Sequence, residues 1–200
     1  MDNEGLVSQS NRENDKNPPA YFKVGVRMSR KFCLPSPQTF TMLPVRQLLT
    51  RHLRKGSSVL EPFAANARWG TRTNDLNPRT RAQDHMEADM WLDKVIREGL
   101  LYDGVLLDPP YSSRQVQEVF GGFGRKVTQR DTQGATLTAV RDKVAQLLSP
   151  DGIVISFGWN SVGMGFNRGF RKVEIMLIAH GMHHNDTIAV VEERFIMERK

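Results

Sequence analysis

The chain has a single cysteine, Cys33, in 200 residues. One thiol excludes an internal disulfide and any cysteine-based zinc cluster, and its expected place is that of a small buried hydrophobe. There is also no run of about 18 apolar residues, and the first 19 residues have no apolar core, so neither a membrane span nor a secretory signal is indicated. A cytoplasmic location is therefore expected. Residues 1–19 are rich in Asn, Asp, Glu and Ser and end in Asn17-Pro18-Pro19, which reads as a flexible N-terminal leader. No composition shift interrupts the remainder, so residues 20–200 are expected to form a single domain. Acidic excess is absent too: 28 Lys and Arg stand against 22 Asp and Glu, a formal charge of +6. That balance suits an anionic partner, with Arg68, Arg72, Arg79 and Arg81 crowding two short stretches, although a merely soluble basic protein has the same balance.

What is present is concentrated in Asp108-Pro109-Pro110-Tyr111, placed directly after the apolar run Tyr102 to Leu107. The combination suits the presentation of an exocyclic aromatic amine for alkylation. Such an amine is a poor nucleophile, because its lone pair is delocalised into the ring. Asp108 can accept a hydrogen bond from it, and the rigid Pro109-Pro110 backbone offers a carbonyl oxygen with no competing N–H. Two acceptors aimed at one amino group favour the geometry and charge that develop during attack on a methyl donor. Tyr111 supplies a flat face for a base removed from its stack. The same tetrapeptide can also be a plain turn closing a strand.

Upstream, Ser57 to Glu61 reads as a buried strand ending in a carboxylate, followed by Pro62-Phe63-Ala64-Ala65-Asn66. In a doubly wound sheet, ligands lie beyond the carboxyl ends of the strands near the switch point. Glu61 is there placed to take an ammonium group and Phe63 to cover an apolar side. Ala64, Ala65 and Asn66 occupy a stretch where glycines usually permit close backbone approach. The segment Thr71 to Pro78 offers another strand end, carrying Asp75 as an acceptor for ribose hydroxyls.

These motifs together resemble the successive motifs of S-adenosylmethionine-dependent amino-methyltransferases acting on DNA, specifically the adenine-N6 type in its short, single-domain phage and bacterial form. They are Val59-Leu60-Glu61-Pro62-Phe63-Ala64, Thr73-Asn74-Asp75-Leu76-Asn77-Pro78 and Asp108-Pro109-Pro110-Tyr111. The resemblance covers roughly residues 20 to 195. It implies an α/β, Rossmann-like class I methyltransferase fold: a mostly parallel seven-stranded sheet, a C-terminal antiparallel hairpin and helices on both faces. It also implies S-adenosylmethionine as cofactor and DNA as partner, with RNA open as an alternative. Phe40, Glu61, Phe63, Ala64, Asp75 and Asp89 would contact the cofactor, Asp89 from the end of the next strand, and Asp108, Pro109, Pro110 and Tyr111 would form the catalytic site. Asp89 can equally be a helix N-cap, and Phe40 can equally be core packing. A ribosomal-RNA guanine-N2 enzyme, a DNA cytosine-N4 enzyme and a non-catalytic nucleic-acid-binding relative are the competing readings.

The rest of the chain fits such a sheet. Residues 41–56 read as a helix with Pro44 in its first turn and Val45, Leu48, Leu49 and Leu53 on one face. Residues 112–134 are glycine-rich and basic, and Arg114, Arg125, Lys126 and Arg130 are candidates for nucleic-acid backbone contact, against a solvated lid as the alternative. Residues 135–148 show helical spacing, ended by Ser149-Pro150-Asp151-Gly152, and 152–157 form an apolar strand. Segments 173–180 and 187–194 read as an antiparallel hairpin. His180, His183 and His184 lack companion ligands, and no metal is expected.

Overall fold

The computed structural model describes residues 25–110, 134–181 and 184–195. Its strands are β1 (Arg27–Phe32), β2 (Val59–Glu61), β3 (Arg72–Thr73), β4 (Tyr102–Leu107), β5 (Leu148–Gly158), β6 (Phe170–Ala179) and β7 (Thr187–Arg194). Helices α1 (Leu43–His52), α2 (Ala88–Glu98) and α3 (Gly134–Leu147) pack on the sheet. The strand order is β1-β6-β7-β5-β4-β2-β3. All neighbours run parallel except β7, which is antiparallel to both β5 and β6. The expected mostly parallel, seven-stranded sheet with its terminal hairpin is therefore observed. Among the described residues, no helix is long and apolar enough to cross a membrane.

Burial explains these elements. β4 is covered on both faces, with only Asp103 exposed, as expected of an apolar strand in the middle of a parallel sheet. On one face, Trp91, Leu92 and Val95 of α2 meet Val140, Val144 and Leu147 of α3 over Leu60, Val105, Leu107 and Val154. On the other, Val45, Leu48 and Leu49 of α1 cover Val59, Leu106, Ile155 and Ile178. Helix α1 has no side-chain cap. A missing cap costs about 1 kcal/mol, whereas each buried Val or Leu contributes roughly 1.5–3 kcal/mol, so packing decides that the helix forms. Helix α2 ends where Gly99 takes a left-handed φ of 71°, the conformation glycine supplies without strain.

Three expectations are corrected. The seventh strand is not one ending at Asp89: the polar segment 76–87, which contains Pro78, makes only an isolated bridge between Asn74 and Asp84. The seventh strand is instead β1, a basic edge strand paired with β6. Second, Ser149 to Gly152 do not separate helix from strand. Helix α3 runs directly into β5, and these residues form an irregularity where the pairing steps from Tyr102–Leu148 to Gly104–Ile153. Third, α1 spans Leu43–His52 rather than 41–56, and residues 39–41 form a separate short 3-10 turn.

From β2 the chain turns outward to β3, while β4 and β5 lie on the other side. The carboxyl ends of β2 and β4 therefore flank a topological switch point, where α/β sheets bind ligands. Residues 62–71 join β2 to its parallel neighbour β3 without a helix. Parallel strands usually need a helical crossover of about a dozen residues or more.

Candidate functional site

A cavity of about 240 Å³ opens at this switch point. One wall is residues 37–41, another is residues 63–69 of the β2–β3 link, and Asp108 stands at the end of β4. The expected site residues Phe40, Phe63, Ala64 and Asp108 thus share one cavity. The chain reaches the first wall from β1, because the Cys33 N–H donates to Ala179 O at 3.0 Å and continues the pairing with β6. Side chains then tie the wall into a knot: the Gln38 N–H donates to Ser36 Oγ, and Thr41 Oγ1 donates to Gln38 O at 2.7 Å. Phe40 lines the cavity, and its ring packs edge-on against Phe157, centroids 5.4 Å apart.

The second wall is held by polar side chains. Ala64 and Ala65 donate their N–H groups to Asn74 O and Asp75 Oδ2, both at 2.8 Å. Asn74 is fully buried and donates through Nδ2 to Pro62 O and Met86 O, while its Oδ1 accepts the Met86 N–H. Asn66 Oδ1 accepts the Arg81 N–H at 3.2 Å. Ala65 has φ +46°, a conformation uncommon outside glycine, Asn and Asp. The chain therefore keeps the left-handed turn of a glycine-type loop while carrying a Cβ at that position.

Glu61 ends β2 and is fully buried. Its Oε2 accepts the Gly70 N–H at 3.0 Å, and its Oε1 finds no hydrogen-bond partner among the described residues. Burial above all, then the nearby charges of Asp108 and Asp75, pushes its pKa up to about 8 against the lowering effect of the Gly70 N–H. At neutral pH Glu61 is thus largely protonated. Gly70 was not singled out from the sequence, yet a Cβ there would stand 2.8 Å from Glu61 Cβ and 2.9 Å from its Oε2. Only glycine lets the link close over this carboxyl.

Asp75 and Asp89 do not line the cavity. Asp75 spends both oxygens on the backbone, accepting from Ala65 and Asn77 at 2.8 Å. Asp89 is not at a strand end and is not the N-cap, a position taken by Glu87. It lies in the first turn of α2, and its backbone carbonyl accepts from Lys143 Nζ at 2.8 Å. Tyr111, Arg114, Arg125, Lys126 and Arg130 lie outside the described residues. Arg72, grouped above with the cations available to an anion, is engaged: it pairs with Asp84 and Glu98 at 3.0 Å and lies over the Trp91 ring. Burial pushes Asp84 up, but the bonds from Lys94 and Trp91 and the Arg72 charge win and hold it below its ordinary value. His180 is a core residue whose ring nitrogens meet Cys33 O at 2.8 Å and Thr187 Oγ1 at 2.9 Å. Among the described residues, no group of three or more His, Cys, Asp or Glu side chains is placed to hold a metal.

No protein-family model and no curated protein matches the chain. Among solved structures it is similar to SMU.776, a protein assigned as a methyltransferase and complexed with SAH. The identity is 14%, the overlap takes 75% of this chain and 48% of that one, and the TM-score is 0.55. The chain has the class I methyltransferase fold. Weaker overlaps, with TM-scores of 0.49, join it to TrmN from Thermus thermophilus (16% identity, 77% of this chain, 49% of that one) and to a protein from Clostridium thermocellum assigned as an rRNA methylase (13% identity, 81% and 100%). This chain spans about half the length of SMU.776 and of TrmN. Within the class I fold, the cavity described here lies at the switch point, bounded by the ends of β2 and β4.

Proposed function

We propose that this protein transfers a methyl group from S-adenosylmethionine to the exocyclic amino nitrogen of a nucleic-acid base, with adenine N6 in DNA as the favoured acceptor. The observation that carries the reading is Asp108, which stands at the end of β4 in a class I methyltransferase sheet, lines the cavity, and is followed at once by Pro109 and Pro110. The SAH-complexed structure of SMU.776, on the same fold, supports the cofactor class. The chain's own residues fit that cofactor. Phe40 and Phe63 give apolar cover, and the buried Glu61 Oε1 beneath the link, without a partner among the described residues, becomes an acceptor for an ammonium group once that group's charge draws the carboxyl to its ionised form. Bound there, S-adenosylmethionine supplies an electrophilic methyl group on a sulfonium.

Asp108 accepts a hydrogen bond from the acceptor amine, and the Pro109 carbonyl accepts a second. Both interactions strengthen as the nitrogen gains positive charge, so they favour the transition state over the ground state. Asp108 does not need to be a strong base, because the amine becomes acidic only once alkylated. No covalent adduct with the protein is required, which agrees with the single cysteine, Cys33, not lining the cavity.

The test is to incubate the purified chain with S-adenosylmethionine and either genomic DNA from a methylation-free bacterial strain or total RNA, then digest to nucleosides and identify the modified base by mass spectrometry. N6-methyladenine from DNA is expected, and Asp108→Ala should lower its formation roughly 10²–10³-fold while leaving cofactor binding in place. Undiminished turnover by Asp108→Ala, or methylated guanine from RNA alone, sinks the reading.

A further inference from the structure

Two charged side chains line the cavity among the described residues, Asp108 and Arg68. The first is used above. Arg68 is exposed, and its guanidinium forms no hydrogen bond or ion pair with any described residue. Arg72, further along the same basic stretch, is by contrast paired with Asp84 and Glu98. A solvated arginine is ordinary on a protein surface. Two features set this one apart.

The first is how its backbone is held. Just upstream, the Ala67 N–H donates to Ala64 O at 2.8 Å and closes a turn. Just downstream, the Gly70 N–H donates to Glu61 Oε2 at 3.0 Å. Ala67 and Trp69, on either side of Arg68, pack against the buried cluster that contains Phe40. The backbone of Arg68 is therefore fixed while its guanidinium stays unengaged, so binding an anion there breaks no internal bond.

The second is the set of groups around it. Glu61 lies beneath the same link with Oε1 unpartnered among the described residues, and Asp75 and Asp108 are near enough to push its pKa up. The other ionisable groups at this end of the cavity are thus carboxyls, and Arg68 is the one cation among the described lining residues. The methionine end of S-adenosylmethionine carries an ammonium and a carboxylate on a single carbon. A site for it needs an acceptor and a cation close together, and Gly70 brings the link that carries Arg68 down onto Glu61. A guanidinium presents a planar fork that meets both oxygens of a carboxylate.

We infer that Arg68 receives the carboxylate of the cofactor's methionine end, so that the link from β2 to β3 reads both charges of that amino acid, the ammonium through Glu61 and the carboxylate through Arg68. This rests on the proposed reading that the cavity takes S-adenosylmethionine. Arg68 has no part in the methyl transfer itself. It is a binding and positioning residue, because anchoring the far end of the methionine chain fixes where the sulfonium lies relative to Asp108.

The experiment titrates the full chain, without nucleic acid, with S-adenosylmethionine and with its decarboxylated analogue, which keeps the ammonium and the sulfonium, and follows binding by calorimetry. The wild type should bind the analogue roughly 10-fold more weakly. Arg68→Met keeps much of the apolar stem and removes the guanidinium. It should weaken S-adenosylmethionine by roughly the same 10-fold factor and leave the analogue bound no more weakly than by the wild type, so that the preference disappears. Arg68→Lys should restore part of the preference, and added salt should shrink it in the wild type. The exposed position predicts a thermal midpoint of unliganded Arg68→Met close to wild type. A wild type that binds the two ligands equally, or an Arg68→Met protein that keeps the preference or loses affinity for both ligands alike, overturns the inference while leaving the parent reading intact. A wild type that binds neither ligand overturns both.

Discussion

Glu61 and Glu192 are both fully buried, and each faces a glycine at which a Cβ would collide with it, yet their bonding is opposite. Glu192 receives backbone N–H groups on both oxygens. Glu61 receives one N–H, keeps the other oxygen unpartnered among the described residues, and titrates far above a normal carboxyl. A buried carboxyl with both oxygens served is a structural pin. One left half-served, at the carboxyl end of a strand beside a switch point, is where a ligand group can contribute what the protein does not. Burial is the same in the two cases, so unmet hydrogen-bonding capacity is what distinguishes Glu61, the proposed cofactor contact, from Glu192.

Breaking the glycine at each glutamate tests this most severely. Gly163→Ala adds a Cβ at positive φ against a carboxylate that cannot retreat without losing two bonds, and should cost on the order of 4 kcal/mol, read as a large drop in thermal midpoint. Gly70→Ala adds no positive-φ strain and meets a carboxyl with one oxygen unpartnered among the described residues, so its loss should be about half as large. Equal losses at the two sites would erase the distinction.

The next effect lies in pH. The folded-state pKa of Glu61 is raised from 4.5 to about 8, so folding favours its protonated form. Its contribution is fully present below about pH 4.5 and is lost as pH rises through about 8, at a cost on the order of 3–5 kcal/mol. Glu61→Gln should flatten that part of the stability-against-pH curve measured by urea unfolding at several pH values. A slope unchanged by the substitution would mean the carboxyl is ionised throughout. Smallest is Ala65→Gly, which removes the Cβ from a residue at φ +46° and should raise stability by roughly 0.5–1 kcal/mol in the same assay. A loss instead would show that the Cβ of Ala65 packs usefully at the cavity.

Much of the fold is legible in the sequence wherever one face of an element is buried. The apolar runs of β4 and β5, the helical spacing of α1 and α3, and the turn between β6 and β7 all leave a periodic trace. β1 leaves little, because Arg27 to Phe32 is largely exposed and is held chiefly by backbone pairing to β6. At the site, Phe40, Phe63, Ala64 and Asp108 do converge on one cavity. What spacing could not convey is where each carboxyl spends its lone pairs. Asp75, read as a ribose acceptor, also holds the Ala65 and Asn77 amides, and Arg72, counted among the cations suited to an anionic partner, pairs with Asp84 and Glu98. Gly70 and Asn74 carry much of the wall's geometry without any local signature, since their partners are brought together only by the tertiary fold.

The link from β2 to β3 makes the trip between parallel neighbours without a helix, and this sets how the cavity breathes. A helical wall would keep its ladder of i to i−4 bonds through small openings. Here the amides of Ala64, Ala65 and Gly70 rest on Asn74, Asp75 and Glu61, so the wall has little local structure to fall back on beyond the turn closed by the Ala67 N–H and Ala64 O. Sub-global unfolding should release the link and the 74–86 segment as one cooperative unit, at a free energy well below that of the whole sheet.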